Sequence, residues 1–145
     1  VDAVYNWHSS FGYLDQDSMN QQMLCSAHAS LRDGGVMLLE FPNMDHLLSN
    51  FRSTMLSNHP GGVSLERQSG RSDDGRTLHQ TWIYRWGADQ ERRHKSSLRI
   101  YHPSQLIKMF CESGFQDVRV SSHNGDALAA DCARLIVTGR KQGDG

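Results

Sequence analysis

Apolar residues first cluster at Val1, Ala3, Val4 and Tyr5, broken only by Asp2, and give way at once to Asn6, Trp7, His8, Ser9 and Ser10. A short run of this kind predicts a strand buried in a parallel sheet, because a half-exposed strand alternates apolar and polar positions. After a polar turn over Leu14 to Asp17, Ser18 stands as an N-cap and Met19, Met23, Leu24, Ala27 and Leu31 recur at helical spacing. That spacing predicts an amphipathic helix. Arg32 and Asp33 close it, Gly34 and Gly35 supply the left-handed exit, and VMLLEF (Val36 to Phe41) reads as a second buried strand. Strand, helix, Gly-Gly and strand make a right-handed βαβ unit.

Pro42 stops the second strand, Asn43 or Asp45 can cap a helix, and Leu47, Leu48 and Phe51 form its short apolar face, which frays near Ser57 to Gly62. From Val63 the period changes to two. Val63 and Leu65 alternate with polar residues, SDDG (Ser72 to Gly75) has hairpin-turn chemistry, and TLHQTWIYRW (Thr77 to Trp86) is a long alternating strand. Gly87 to Ser96 reads as a polar loop, followed by a strand at Leu98, Ile100 and Tyr101. Pro103 opens a helix with Leu106, Ile107, Met109 and Phe110 as its stripe, and Gly114 ends it with Phe115 folding back. Asp117 to Ser121 and Arg134 to Arg140 are two last strands, antiparallel because no helix separates them, and KQGDG is a loose tail.

The 145 residues suit one domain, and a net charge of −1 removes electrostatic attraction to nucleic acid or an anionic membrane as a driving force. No apolar stretch reaches the length of a membrane span, and no charged-then-apolar leader precedes Val1. Cys25, Cys111 and Cys132 show no paired spacing and read as reduced thiols of a cytoplasmic protein. The eight histidines are scattered without HxxxH or Cys/His spacing, so no metal site is assigned. Neither a P-loop nor a Ser-His-Asp arrangement is visible. Arg92, Arg93 and Lys95 read as a solvated basic loop, and Trp82, Tyr84 and Trp86 share one face of their strand.

In their order and spacing, VDAVYNWHSSFGY, LRDGGVMLLEFPN, SLRIYHPSQLIKMFCESGFQDVRV and RLIVTGRK resemble the C-terminal half of a class I S-adenosylmethionine-dependent methyltransferase. Amino-sugar N-methyltransferases and glycine or sarcosine methyltransferases are the close small-molecule parallels. The resemblance implies an α/β fold, the C-terminal half of a Rossmann-like sheet. Val1 to Trp7 would be the family's fourth strand, Val36 to Phe41 its fifth, and the final hairpin its sixth and seventh. On this view residues 1–145 form a single partial domain, with 63–101 as an antiparallel insertion of the kind that covers substrate. The family's glycine-rich cofactor turn and the acidic residue ending its second strand would lie upstream of Val1. Neither Gly34-Gly35 nor Gly61-Gly62 replaces that turn, since both pairs follow helical patterns rather than a strand.

The resemblance places Asn6, Trp7 and His8 at the methionine end of S-adenosylmethionine, with core packing of Trp7 and a solvated His8 as the alternative. It also implies substrate contacts from Ser10, Phe11 and Tyr13 in an S-F-G-Y turn, and from Arg99 and Tyr101 in an R-x-Y segment, with His102 standing at the cap position where Thr or Ser is usual. Glu40 and Asn43 end the second strand, on the side where open α/β sheets take ligands. A carboxylate there can attract an amine or accept its proton, or else cap a helix or pair with an arginine. No catalytic base is assigned. The expected activity is methyl transfer to a small-molecule acceptor by the enzyme of which this chain is a part, whether truncated or split, with S-adenosylmethionine bound weakly or not at all by this part alone. The alternative is a non-catalytic interaction module whose first strand pairs with a missing half or a second copy.

Overall fold

The computed structural model describes residues 1–8 and 10–143, so Ser9 of the S-F-G-Y turn and the last two residues of KQGDG lie outside the described residues. In chain order the elements are β1 (Ala3–Asn6), α1 (Asp17–Ser30), β2 (Val36–Pro42), α2 (Met44–Ser49), β3 (Thr54–His59), β4 (Val63–Arg71), β5 (Thr77–Trp86), β6 (Gln90–Arg99), α3 (Pro103–Glu112), β7 (Gln116–Ser122) and β8 (Arg134–Arg140). They divide into two compact units, Val1–Ser49 with Tyr101–Gly145, and Asn50–Ile100.

The first unit is built on a four-stranded sheet of order β1-β2-β8-β7. β1 and β2 run parallel, with Ala3 opposite Val36 and Asn6 opposite Leu39. β8 enters antiparallel between β2 and β7, so that Arg134 stands opposite Pro42. The parallel first pair and the antiparallel last pair are as the sequence pattern predicts. Leu39, Phe41, Leu106, Phe110, Leu135 and Val137 are fully buried and form the core between this sheet and its helices. Each contributes about 1.5–3 kcal/mol on removal from water.

α3 fits the sheet because Leu106, Met109 and Phe110 share one face, while Ile107 turns outward, against the expectation that it belongs to the stripe. Gly139 of β8 lets Phe110 and Phe115 close over the strand, since a Cβ there would stand 2.8 Å from Phe110 Cδ1. Gly114 takes φ +94°, and Phe115 turns back onto Phe110 with ring centroids 5.1 Å apart. α1 begins one residue before the expected Ser18 cap, and Met19 lies outside its buried face. Leu24 of the expected stripe is buried, and Asn20 is buried with it.

β1 departs most from its sequence pattern. It is an edge strand with β2 as its partner, and Tyr5 is 76% exposed. Its composition suits burial on both sides, but within the described residues no second strand adjoins it.

The second unit is an antiparallel meander of order β3-β4-β5-β6. The Ser72 to Gly75 segment turns β4 into β5, as expected, with Gly75 N–H donating to the Ser72 carbonyl at 2.9 Å. β3 occupies the stretch read from sequence as the fraying end of a helix, and α2 stops at Ser49. β6 runs through the stretch read as a polar loop and carries Arg92, Arg93 and Lys95 on a strand. Both strands are held by backbone pairing while β3 and most of β6 leave their side chains exposed, so neither shows apolar alternation. Arg85 bridges Glu66 and Glu91, and Arg67 lies 5.5 Å over the Trp82 ring. Among the described residues no helix is long and apolar enough to cross a membrane.

Candidate functional site

The carboxyl ends of β1 and β2 meet the start of β8 at one end of the sheet, because the parallel register puts Asn6 beside Leu39 and the antiparallel one puts Pro42 beside Arg134. Ligand sites of open α/β sheets lie at this end. Asn6 donates from Nδ2 to Ser10 Oγ at 3.0 Å, and its buried Oδ1 has no hydrogen-bond partner among the described residues. His8 adopts a left-handed φ of 57°, and its N–H donates to Glu40 Oε2 at 2.7 Å. Trp7 stays partly exposed and meets the His8 ring edge-on.

Glu40 is the charged centre of this end. It is 3% exposed, and its other oxygen accepts from Arg134 Nε. Burial pushes the Glu40 carboxyl up, but the hydrogen bonds from Arg134 and the His8 N–H, with the Arg134 charge, outweigh it and hold the group below the usual glutamate range. Glu40 is therefore an ionised structural pin, engaged on both oxygens. Of the alternatives open in the sequence, the arginine pair is the one observed. Asn43 follows on the same strand end, with Nδ2 donating to the Cys132 carbonyl at 2.8 Å and its buried Oδ1 without a partner among the described residues.

The turn after β1 is organised from below. Phe11 is 1% exposed and packs against Phe41 and Tyr101 at centroid distances of 6.0 and 5.7 Å, which makes it a core residue of this unit. Tyr101 is also buried; its hydroxyl donates to Asp17 Oδ1 at 2.6 Å and accepts from Asn20 Nδ2 at 3.0 Å. Asn20 Oδ1 in turn accepts from Gly12 N–H at 3.2 Å. Tyr13, by contrast, is exposed. Arg99 belongs to the second unit, where it donates to Thr77 Oγ1 at 3.0 Å. Asn6, His8, Ser10, Glu40 and Asn43 thus share one strand-end region, while Phe11 and Tyr101 form the packed floor beneath the turn.

Sequence reasoning missed Asn20, Asp17 and Arg134. Asn20 carried a usable signal, a polar residue four positions before Leu24 and so on its face of the helix. Arg134 carried none, being 94 positions from Glu40. Among the described residues no group of three His, Cys, Asp or Glu side chains could hold a metal ion.

Comparison with solved structures gives the fold a wider setting. The CcbJ methyltransferase from Streptomyces caelestis matches with a TM-score of 0.84 at 14% identity, over 97% of this chain and 60% of that one. An S-adenosylmethionine-dependent methyltransferase from Clostridium acetobutylicum matches with a TM-score of 0.83 at 11% identity, over 98% and 58%. The amino pentose methyltransferase CalS10 from Micromonospora echinaspora, solved with S-adenosylmethionine bound, matches with a TM-score of 0.61 at 19% identity, over 94% and 57%. No family model and no curated protein sequence matches the chain. The chain has the α/β fold of part of these methyltransferases and spans about 60% of their length.

Proposed function

We propose that this chain supplies the acceptor-facing part of an S-adenosylmethionine-dependent methyltransferase acting on a small molecule. The observation that carries this reading is the convergence of Asn6, His8, Ser10, Glu40 and Asn43 at the ligand end of the sheet, with the buried Asn6 Oδ1 lacking a donor among the described residues. A buried acceptor without a partner costs about 1–3 kcal/mol. A ligand ammonium or hydroxyl seated there would remove that cost.

The residues fit the cofactor at its methionine end only. The connections leading into α1, α2 and α3 contain one glycine, Gly12, and its N–H is already bound by Asn20. A glycine cradle for the nucleoside therefore belongs to polypeptide other than residues 1–145. When bound, S-adenosylmethionine supplies a methyl group on a sulfonium centre. The part played by this chain is positioning: Glu40 fixes the His8 N–H and hence the turn, Asn6 and Ser10 present polar groups, and Tyr13 offers an exposed aromatic face. Positioning is a large share of catalysis in an in-line displacement.

Calorimetric titration of the purified chain with S-adenosylmethionine should show weak binding or none. Tight one-to-one binding would overturn the division of labour between this chain and a separate cradle. With a glycine-turn segment joined ahead of Val1, labelled methyl should pass to a small amine or hydroxyl acceptor. Failure with every acceptor class, in a folded protein that binds the cofactor, would remove the methyltransferase reading.

A second reading rests on β1. Among the described residues no strand pairs with its outer edge, Tyr5 is exposed, and an apolar groove of about 540 Å³ runs beside it, lined in part by Val4, Met19, Met23 and Ala27. Such an edge is a pairing template, and the occupant proposed is β1 of a second copy of this chain. Sedimentation that shows only monomer at high concentration would exclude it.

A further inference from the structure

The loop from β7 to β8 holds a pair of side chains that the strand-end network does not use. Cys132 Sγ lies 3.6 Å from His123 Nδ1. The loop is fixed at several points: Ser122 N–H donates to the Asp126 carbonyl at 2.9 Å, Cys132 N–H to Ala129 at 3.1 Å, and Ser122 Oγ–H to Ala127 at 3.0 Å. Asn43 binds its far end twice, through Nδ2 to the Cys132 carbonyl and through N–H to the Ala133 carbonyl at 2.9 Å. The same Asn43 side chain keeps Oδ1 buried beside the loop, without a partner among the described residues. These bonds fix the backbone that carries Cys132 beside His123.

We propose that Cys132 and His123 form a thiolate site, with the His123 Nδ1–H donating to the Cys132 sulfur, and that Cys132 is the preferred target on this chain for hydroperoxides and small electrophiles. His123 is exposed while Cys132 is 9% exposed, so the site admits small reagents past the imidazole and shields the sulfur from bulky ones. With a hydroperoxide, the thiolate sulfur attacks the terminal oxygen. An S–O bond forms and the O–O bond breaks. Sulfur loses two electrons to the peroxide, and the departing hydroxide or alkoxide takes a proton from solvent, leaving a sulfenic acid.

The balance of contacts favours the anion. The His123 side chain, then the His123 backbone, with smaller help from the Ser122 side chain, outweigh the effect of burial and draw the thiol down to about 7. The opposing contact is the Arg134 carbonyl, to which the protonated thiol donates at 2.7 Å. The other titratable groups on β7, β8 and the loop between them are Asp117, Arg119, Asp126, Asp131, Arg134 with its partner Glu40, and Arg140, and His46 reaches the loop with Nδ1 3.3 Å from the Ala130 carbonyl. Cys25 Sγ meets the Ser113 hydroxyl at 3.7 Å, Cys111 is exposed, and among the described residues neither lies against an imidazole.

The test is the rate of iodoacetamide alkylation at each cysteine against pH, read by mass spectrometry on the folded chain and on the same chain in denaturant. Cys132 is expected to react with a midpoint near 7 when folded, against about 8.5 for an ordinary thiol when unfolded. His123→Ala should move the folded midpoint up by a unit or more, and dilute hydrogen peroxide followed by dimedone should label Cys132 ahead of Cys111 and Cys25. A folded midpoint equal to the unfolded one, a midpoint unmoved by His123→Ala, or no reaction at Cys132 below pH 9 would each overturn the proposal. Circular dichroism of His123→Ala confirms the fold, and the wild-type profile stands independently of the variant.

Discussion

Glu40 shows how a single residue sets the strand-end geometry. Its two oxygens tie β1's exit to β8 through His8 and Arg134. Glu40→Gln keeps the shape but removes the charge, and leaves the half-exposed Arg134 guanidinium without its carboxylate. A loss of about 2–3 kcal/mol at pH 7 is expected in urea denaturation, below the cost of breaking a fully buried pair. Because the folded carboxyl titrates below its ordinary value, its contribution is complete above the unfolded pKa of about 4.3. It is lost as the pH falls further, through the depressed folded value. The wild-type advantage over Glu40→Gln should therefore hold from pH 7 to pH 5 and shrink in more acidic buffer; an advantage that grows with acid would contradict the pairing. The position of Glu40 at a strand end was legible in the sequence. Its partner was not, because the hydrophobic pattern that locates strands carries no information on which distant charge a sheet brings alongside.

The elements were legible wherever burial imposes a period. α1 and α3 carry an apolar signal at helical spacing, β2 is a continuous apolar run, and β8 begins and ends at the residues the pattern indicates. β3 and most of β6 lack one, since their backbone hydrogen bonds leave polar side chains in solvent. At the contact of α3 with β8, Gly139→Ala should cost about 1–3 kcal/mol, because its new methyl group meets two aromatic rings that cannot both withdraw. Urea midpoints of the two proteins measure this directly. Tyr101→Phe removes the hydrogen bonds to Asp17 and Asn20 that join α3's entry to α1. Its expected cost is about 1–2 kcal/mol, with faster hydrogen exchange at Gly12, whose N–H depends on Asn20. Unchanged exchange at Gly12 would show that Asn20 holds the turn without Tyr101.

At the scale of the molecule, β1, which has one neighbouring strand among the described residues, is the feature with the widest consequence. An apolar strand with one neighbour exchanges its outward amides quickly and recruits another strand when one is offered. Tyr5→Lys should reduce any self-association seen by sedimentation without changing thermal stability, because the side chain is largely in solvent. The sequence by itself determined the order of the buried elements and, through the parallel βαβ unit, the sheet end at which Asn6, Glu40 and Asn43 emerge. It did so because periodicity, glycine exits and proline stops are local consequences of burial and backbone sterics. Only the tertiary structure decided that Glu40 is pinned by Arg134, that Phe11 and Tyr101 are floor rather than surface, and that Cys132 rests against His123. Those outcomes depend on which residues the register of the sheet and the course of a loop bring together, and no local pattern encodes that.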